Sequence, residues 1–276
     1  TEAFRGCGKL RKIILPEGLK ALEADTFCEC ESLEEIRLPD SLEEIGEGAF
    51  GSCKRLQTVH LPRNLKNISP AAFRDSAVRE ITVEKDNPWY CAAWGSLFTK
   101  DRKKLVCCPP ANPVFRVFEE TEEIGESACQ GNPGLTELEI PVNIRSLSRN
   151  AFRGCRSLRK IIWKEGVRRI GDSCFRGCER LEGAVLPDSV TEIGEGAFGD
   201  CYRLEAAELP ARLEQIGAGV FERCFSLKTL TLPEKIRTVP RELCAECYGL
   251  EEVTLAEGTE EIRFNAFADC VHLKKV

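Results

Sequence analysis

The sequence has 276 residues, a net charge of −6 and sixteen cysteines. An acidic chain without interleaved basic and aromatic residues does not have the composition of a nucleic-acid-binding protein. No apolar run approaches the roughly 20 residues that a membrane-spanning helix requires. We therefore expect no nucleic-acid partner for this segment and no membrane insertion.

One motif recurs through nearly the whole chain at a step of 23 residues. It reads C-x-x-L-x-x-I-x-L-P, and the rest of the repeat ends in I-x-x-x-A-F. The first column of the motif predicts a structural ladder of cysteines: Cys7, Cys30, Cys53, Cys155, Cys178, Cys201, Cys224, Cys247 and Cys270. Ser76 and Asn132 hold the same place in two further repeats. A period of this length predicts a solenoid, in which each repeat buries its apolar side against its neighbours.

Residues 53–75 show the local structure that the motif predicts. Val59 and Leu61 alternate with polar residues, which indicates a short strand with one buried face. Pro62 ends this strand because proline has no N–H to donate. The pair Ala72-Phe73 is expected in a helical turn. Since the same apolar positions recur in successive repeats, the strands are expected to stack as one parallel sheet.

The pattern resembles the leucine-rich repeat family and, within it, the bacterial BspA-like branch, whose repeats read much like Ser41-Leu-Glu-Glu-Ile-Gly-Glu-Gly-Ala-Phe50. The resemblance implies an α/β fold, a right-handed solenoid with a parallel sheet on its concave face. The convex side is expected to carry short helical turns or extended segments. We expect a single domain over residues 1–276, with about ten repeats and partial repeats at both ends, cut from a longer protein.

The period is interrupted between Ser76 and Gly131, which predicts one extended repeat over about residues 76–131. Ser96–Thr99 and Lys104–Cys107 have the pattern of two strands around a charged turn, so a β-hairpin insertion is expected. Four aromatic residues lie in or near this hairpin: Trp89, Tyr90, Trp94 and Phe98. They either stack on sugars or form the core of the insertion, and the second interpretation is favoured because a hairpin needs a packed face.

The cysteines are expected to be buried thiols rather than disulfides or metal ligands. Side chains in register on neighbouring strands point the same way, which is poor disulfide geometry. Cys244 and Cys247 form a C-x-x-C motif, but both are core positions of the repeat, and a zinc site needs further ligands. The adjacent Cys107 and Cys108 are the expected place for a reactive thiol. No metal site and no cofactor are predicted.

No arrangement typical of an enzyme is found in the sequence. His60 is predicted to point outward from a strand, whereas the ladder cysteines lie at a turn, so a Cys–His dyad is not expected. Paired glutamates such as Glu43-Glu44 and Glu251-Glu252 lie between apolar anchors, where solvent-facing residues belong. We predict a protein without enzymatic activity.

The outward positions of the strands are the expected binding face, because leucine-rich repeat proteins usually bind on the concave sheet. These positions vary from repeat to repeat, as a recognition face does, although sequence drift also produces variation. The candidate ligand-binding residues on this face are Arg37, His60, Arg159, Lys160, Ile162 and Val185.

A basic stretch stands out within this face. Residues 141–181 contain eleven basic residues and only three acidic ones, and Trp163 takes the last leucine position of its strand. Arginine, tryptophan and an outward isoleucine are typical of interface hot spots. The hypothesis is an anionic protein or acidic glycan bound around Arg159, Lys160 and Ile162, and the alternative is a solvated basic band.

The sequence therefore favours a non-enzymatic scaffold that recognises a protein or glycan partner. The resemblance implies a bacterial protein at the cell surface or outside the cell that contacts host proteins in adhesion. Two alternatives remain: a structural spacer within a larger surface protein, and carbohydrate binding through the aromatic residues of the insertion.

Overall fold

The computed structural model describes all 276 residues. They form two compact units. The N-terminal unit comprises residues 1–121 and 127–134, and the C-terminal unit comprises residues 122–126 and 135–276. No helix in the structure has the length and hydropathy that crossing a lipid bilayer requires.

The N-terminal unit contains ten strands and one 3₁₀ helix, Pro70–Phe73. Its strands are β1 (Lys12–Ile14), β2 (Ala21–Leu22), β3 (Glu35–Arg37), β4 (Glu44–Ile45), β5 (Thr58–Leu61), β6 (Asn67–Ile68), β7 (Glu80–Val83), β8 (Tyr90–Ala93), β9 (Ser96–Thr99) and β10 (Lys104–Cys107).

The C-terminal unit contains thirteen strands and no helix. They are β11 (Glu123–Ile124), β12 (Glu137–Ile140), β13 (Ser146–Leu147), β14 (Lys160–Trp163), β15 (Arg169–Ile170), β16 (Gly183–Val185), β17 (Glu192–Ile193), β18 (Ala206–Glu208), β19 (Gln215–Ile216), β20 (Thr229–Thr231), β21 (Thr238–Val239), β22 (Glu252–Thr254) and β23 (Glu261–Ile262).

Each repeat contributes two strands, and both pair in parallel with the equivalent strands of adjacent repeats. The first strand carries the I-x-L part of the motif, and the register of β1 on β3 aligns Lys12 with Glu35, one period apart. The second strand is only two residues long, and β2, β4 and β6 form one three-stranded parallel sheet. The same two ladders run through the C-terminal unit. The predicted parallel stacking is therefore confirmed, and a second ladder of short strands accompanies it.

The core of each unit is a set of apolar columns that repeat every 23 residues. The most regular column is the phenylalanine of the A-F pair, whose rings stack face to face. In the N-terminal unit the stack is Phe4, Phe27, Phe50 and Phe73, with centroids 5.1, 5.9 and 5.6 Å apart. In the C-terminal unit it is Phe152, Phe175, Phe198 and Phe221, with centroids 5.4, 5.3 and 5.9 Å apart.

The helical turns expected after the second strands are absent except at Pro70–Phe73, so the fold is nearly all β and the α/β class is not confirmed. Helices do not form here because residues on both sides of the stacked phenylalanine have positive φ values. Asp25 and Glu29 flank Phe27 with φ of 54° and 64°, and a left-handed residue cannot continue a right-handed helix. The N–H groups of all three residues donate to the next repeat instead, at 2.8–2.9 Å.

Glycine after the second strand allows successive repeats to approach closely. A Cβ on Gly194 would lie 2.5 Å from the backbone N of Asp172, and one on Gly217 would lie 2.5 Å from the backbone N of Glu195. These distances are shorter than a carbon–nitrogen contact allows, so the neighbouring backbone requires glycine at these two positions.

The insertion in the N-terminal unit is a three-stranded antiparallel sheet. The predicted hairpin of β9 and β10 is present, with an irregularity in register between Leu105 and Cys107. A further strand, β8, pairs with β9 and was not expected. Trp94 and Gly95 connect β8 to β9 with φ of 50° and 78°. Two consecutive positive φ values are the hallmark of a type I′ hairpin turn, whose first position usually holds Asn, Asp or Gly rather than tryptophan.

Candidate recognition surface

The outward residues of the first strands form a polar and charged surface on each unit. Alternation along β5 buries Val59 and Leu61 and exposes Thr58 and His60. Along β14, Lys160 is exposed, Ile161 is buried and Ile162 is partly buried. The strands therefore position the candidate side chains as the period-two pattern predicts.

Arg37 and His60 are brought together in the N-terminal unit, where both line an open cavity of about 420 Å³. His60 is held by two neighbours: its Nδ1 lies 2.9 Å from Thr82 Oγ1 and its Nε2 lies 3.2 Å from Glu84 Oε2. Glu17, Glu35, Asp40 and Glu84 also line the cavity. The result is a mixed but predominantly acidic recess rather than a basic one.

The other four candidates lie in the C-terminal unit. Lys160 and Ile162 are on β14, Arg159 directly precedes that strand, and Val185 is on β16. Arg159 and Lys160 are exposed, and 55% of Val185 is accessible. Ile162, by contrast, is only partly accessible, so Val185 is the most exposed apolar side chain of this group.

Trp163 is partly buried and packs against the core. Its ring meets Phe175 edge-on, with centroids 5.8 Å apart. Its Nε1 is buried without a hydrogen-bond partner, which is a cost that the aromatic packing must offset. Trp163 therefore anchors β14 through its packing on Phe175, and only part of its ring remains accessible.

The cysteine ladder has a structural role that the sequence did not reveal. The thiols of six ladder cysteines donate to the backbone carbonyl of a stacked phenylalanine 26 residues earlier; their Sγ–O distances span 3.0–3.4 Å. These donors are Cys30, Cys53, Cys178, Cys201, Cys224 and Cys247. Cys270 makes the same bond to the carbonyl of Cys244, which replaces the phenylalanine.

None of the sixteen cysteines forms a disulfide, and no group of three or more His, Cys, Asp or Glu side chains is placed to hold a metal ion. Burial raises the pKa of Cys53 to about 12. Burial also raises the pKa of Cys107, whereas hydrogen bonds from Cys129, Ser96 and Asn132 lower that of Cys108. Both members of the Cys107-Cys108 pair are buried, so access limits their reactivity.

The paired glutamates bind basic residues of adjacent repeats on the surface. Glu43 lies 2.8 Å from Lys20 Nζ and 2.6 Å from Lys66 Nζ, and Glu251 lies 2.9 Å from Lys274 Nζ. These pairs extend along the repeat direction at steps of one period. They form a charged solvent-facing surface with no geometry for acid–base catalysis.

Two features were missed from the sequence. Tyr202, Phe225 and Tyr248 stack on the surface with centroids 4.9 and 5.1 Å apart. They follow the ladder cysteine in three consecutive repeats, whereas Lys54 and Arg156 hold that position elsewhere, and this change of residue type was the available signal. The second feature is a cavity beside the second strands of the N-terminal unit, lined by Asn67 and Tyr90 among others. These two residues are also one period apart.

Comparison with known proteins identifies the repeat. A model of the BspA type leucine rich repeat region, present in six copies, matches residues 1–88, 122–247 and 168–276. Among curated proteins none matches this sequence.

Three solved structures share the fold. A leucine-rich repeat protein from Bacteroides ovatus is 25% identical with a TM-score of 0.68, and the match covers all of this chain and 68% of that one. The pneumococcal vaccine antigen PcpA is 22% identical with a TM-score of 0.72, covering 97% of this chain and 62% of PcpA. A leucine rich cell surface protein from Faecalibacterium prausnitzii is 26% identical with a TM-score of 0.53, covering all of this chain and 61% of that protein.

Proposed function

Because the chain belongs to the BspA-type leucine-rich repeat family, we propose that it is a non-enzymatic protein-binding scaffold. The binding face we propose is the outward side of the first strands in the C-terminal unit, and the partner is a protein that presents an acidic segment. The candidate residues for this contact are Arg159, Lys160, Ile162 and Val185.

The observation that carries this proposal is that Arg159 and Lys160 have no ion pair. Two other basic residues on the strands do pair with a carboxylate one period away: Lys12 with Glu35 at 2.8 Å and Arg169 with Glu192 at 3.2 Å. Lys160 is aligned with Glu137 of the preceding repeat, yet no carboxylate lies within 4.0 Å of its ammonium group. These two charges are therefore available to a partner without breaking an existing contact.

The neighbouring apolar surface supports a protein partner rather than simple solvation. Val185 lies on the next first strand of the chain, one period after Ile162. Gly183 and Ala206 hold the position of Lys160 in the next two repeats and are aligned with each other. Both are small residues. This surface combines an accessible valine, basic groups and small residues. It therefore suits a partner segment that combines acidic and apolar side chains.

The non-enzymatic assignment is supported by the state of the nucleophiles. The ladder thiols donate to carbonyl groups, and burial is the main cause of their raised pKa in Cys178, Cys201 and Cys224. His60 contacts Thr82 and Glu84 rather than a thiol.

We further propose that the protein is located at the cell surface. This proposal is supported by the similar protein from Faecalibacterium prausnitzii, which is described as a cell surface protein. This chain spans about three fifths of the length of that relative and of PcpA. Host adhesion and the activities of the whole protein are accordingly proposals that extend beyond the described residues.

Binding of immobilised extracellular matrix proteins and mucins, measured at physiological salt, tests the proposal. The variant Arg159→Glu/Lys160→Glu/Val185→Asp should lose at least tenfold in affinity for any protein that binds saturably. The matched control is Arg203→Glu/Arg212→Glu/Val271→Asp, which changes the net charge by the same amount at exposed positions outside the strands.

The outcomes separate the alternatives. Equal loss in both variants would indicate a nonspecific charge effect. Binding to acidic glycans alone, lost in the same variant, would replace the protein partner with a glycan. No saturable binding to any probe would favour the structural spacer.

A further inference from the structure

A second cavity, on the N-terminal unit, has the dimensions and chemistry of a small-molecule site. It has a volume of about 410 Å³ and lies over the second strands β2, β4 and β6, with Tyr90 of the insertion as one wall. Sites for small ligands in proteins have volumes of about 300–1,000 Å³. The cavity is separate from the binding face proposed above, and it does not depend on that proposal.

The cavity exists because small residues occupy one part of the repeat surface. Three small residues line the cavity. Ala21 is on β2, and Gly46 and Ser69 directly follow β4 and β6. Gly46 is fixed by the backbone, since a Cβ there would lie 2.7 Å from the backbone N of Ala24. In the C-terminal unit the equivalent column carries the ion pair Arg169–Glu192.

Tyr90 lies at one end of the cavity, because the first strand of the insertion takes the place that a second strand has in the preceding repeats. It follows Asn67 by one period, and its hydroxyl donates to the backbone carbonyl of Lys66 at 2.8 Å. Asn87 fixes the start of the insertion, because its amide donates to the carbonyls of Pro62 and Leu65 at 2.9 and 3.0 Å. It also accepts from the N–H of Tyr90 at 2.9 Å. The aromatic wall is thus held by hydrogen bonds before any ligand arrives.

The polar groups of the cavity are hydrogen-bonding oxygens and amides rather than fixed positive charges. Glu44, Asn67 and Ser69 line the cavity, and Asn67 Nδ2 donates to Glu44 Oε1 at 3.0 Å. No basic side chain lines the cavity, whereas Glu23 and Glu44 do, so the lining disfavours an anionic ligand.

We infer that this cavity binds one neutral pyranose unit of a saccharide. A sugar ring presents hydroxyl groups that need several acceptors and donors, which Glu44, Asn67 and Ser69 supply. It also presents an apolar C–H face, for which the ring of Tyr90 is a suitable wall. Lys20 and Lys66, which directly precede β2 and β6, share Glu43 and leave one excess positive charge near the cavity. This charge offsets part of the acidity of the lining and disfavours a purely cationic ligand.

The inference relocates carbohydrate binding relative to the sequence interpretation. Trp94 packs against Phe98 and Phe118 with centroids 6.3 and 4.9 Å away. Although Trp89 and Trp94 are 42% and 43% accessible, neither lines the cavity. Phe98 is fully buried. Of the four aromatic residues noted in the insertion, Tyr90 is the one that lines a cavity with polar partners.

The test uses the full chain and six neutral methyl glycosides: those of glucose, galactose, mannose, fucose, N-acetylglucosamine and N-acetylgalactosamine. Saturation-transfer NMR should show saturable binding of at least one. Asn67→Ala should weaken it at least tenfold, and Ala21→Trp, which fills the recess from its rim, should abolish it. Tyr90→Phe retains the ring and should bind within about threefold of the native chain, whereas Tyr90→Ala should not bind.

Controls keep the outcome clear. Each variant is compared with the native chain by its urea midpoint, and Trp94→Ala serves as the variant of the other aromatic site. Binding of no glycoside, or binding lost in Trp94→Ala but retained in Asn67→Ala and Ala21→Trp, would overturn the inference. Equal or tighter binding of a lysine decapeptide in competition with the glycoside would also overturn it.

Discussion

The thiol of Cys224 donates a hydrogen bond to the backbone carbonyl of Phe198, with an Sγ–O distance of 3.2 Å. Both residues are fully buried. In other repeats the equivalent carbonyl also accepts from the N–H of the ladder residue, as that of Phe175 does from Cys178 at 3.0 Å, whereas the carbonyl of Phe198 has no backbone donor. Cysteine is therefore selected in this column as a small apolar residue that also carries a donor.

Replacement of Cys224 should show that the donor matters as much as the volume. Cys224→Val keeps an apolar side chain but leaves the carbonyl of Phe198 without a partner, which should cost about 1–3 kcal/mol. Cys224→Ser keeps a donor and should cost less, as Ser76 already occupies this column in another repeat. Urea unfolding measures both. A serine variant less stable than the valine variant would mean that packing alone explains the ladder.

The first strands and the cysteine ladder could be predicted because each depends on a pattern that repeats many times. The hairpin strands β9 and β10 were also readable, as two short segments around a charged turn. The second strands were not, because two residues are too few to show a period. Strand β8 was missed for a related reason: all four of its residues are partly buried, so it lacks alternation.

Helical turns, one of the two conformations expected on the convex side, form only at Pro70–Phe73, because the conformation of the other turns depends on φ at non-glycine residues. Asp25 and Glu29 are left-handed in the structure, but neither residue type specifies that conformation. The candidate sites were only partly readable. Alternation placed Arg37 and His60 on one face, whereas the cavity at Tyr90 depends on how the insertion folds back over the sheet.

The close approach of repeats at glycine gives a prediction with a matched control. In Gly194→Ala the new Cβ would meet the backbone of Asp172 at 2.5 Å, and backbone cannot move aside as a side chain can. We expect a loss of about 1–3 kcal/mol. Gly183→Ala is the control, because its nearest atom is 4.0 Å away, and it should be neutral or slightly stabilising. Similar urea midpoints for the two variants would contradict this account.

Glu43 should make stability depend on pH in the acidic range. Hydrogen bonds and attraction from Lys20 and then Lys66 lower its pKa from 4.5 to about 2. A carboxyl group with a depressed pKa in the folded state stabilises the fold above its unfolded value and loses that effect as pH falls through the folded value. The stability difference between the native chain and Glu43→Gln should thus be largest near neutral pH and vanish near pH 2. Urea titrations across this range, with the unpaired Glu31→Gln as control, measure it.

The thiols should differ in reactivity according to access rather than pKa alone. Cys7 is exposed, Cys91 and Cys270 are partly buried, and the other thirteen cysteines are buried. Burial raises the pKa of Cys270 to about 11, so we expect Cys7 to react first with a thiol reagent such as 5,5′-dithiobis(2-nitrobenzoate). Cys108 should react late despite its lowered pKa, because the reagent cannot reach a buried sulfur.

Counting the thiols that react provides the measurement. In the native state the fast phase should correspond to Cys7 and disappear in Cys7→Ser. In denaturant without reductant all sixteen thiols should react. A lower count in denaturant would mean that disulfides exist, and rapid native-state labelling of Cys108 would mean that the insertion opens. Mass spectrometry of the labelled peptides distinguishes these results, because it identifies which cysteines carry the label. Buried ladder cysteines such as Cys224 should remain unlabelled in the native state as long as the stacked repeats stay closed.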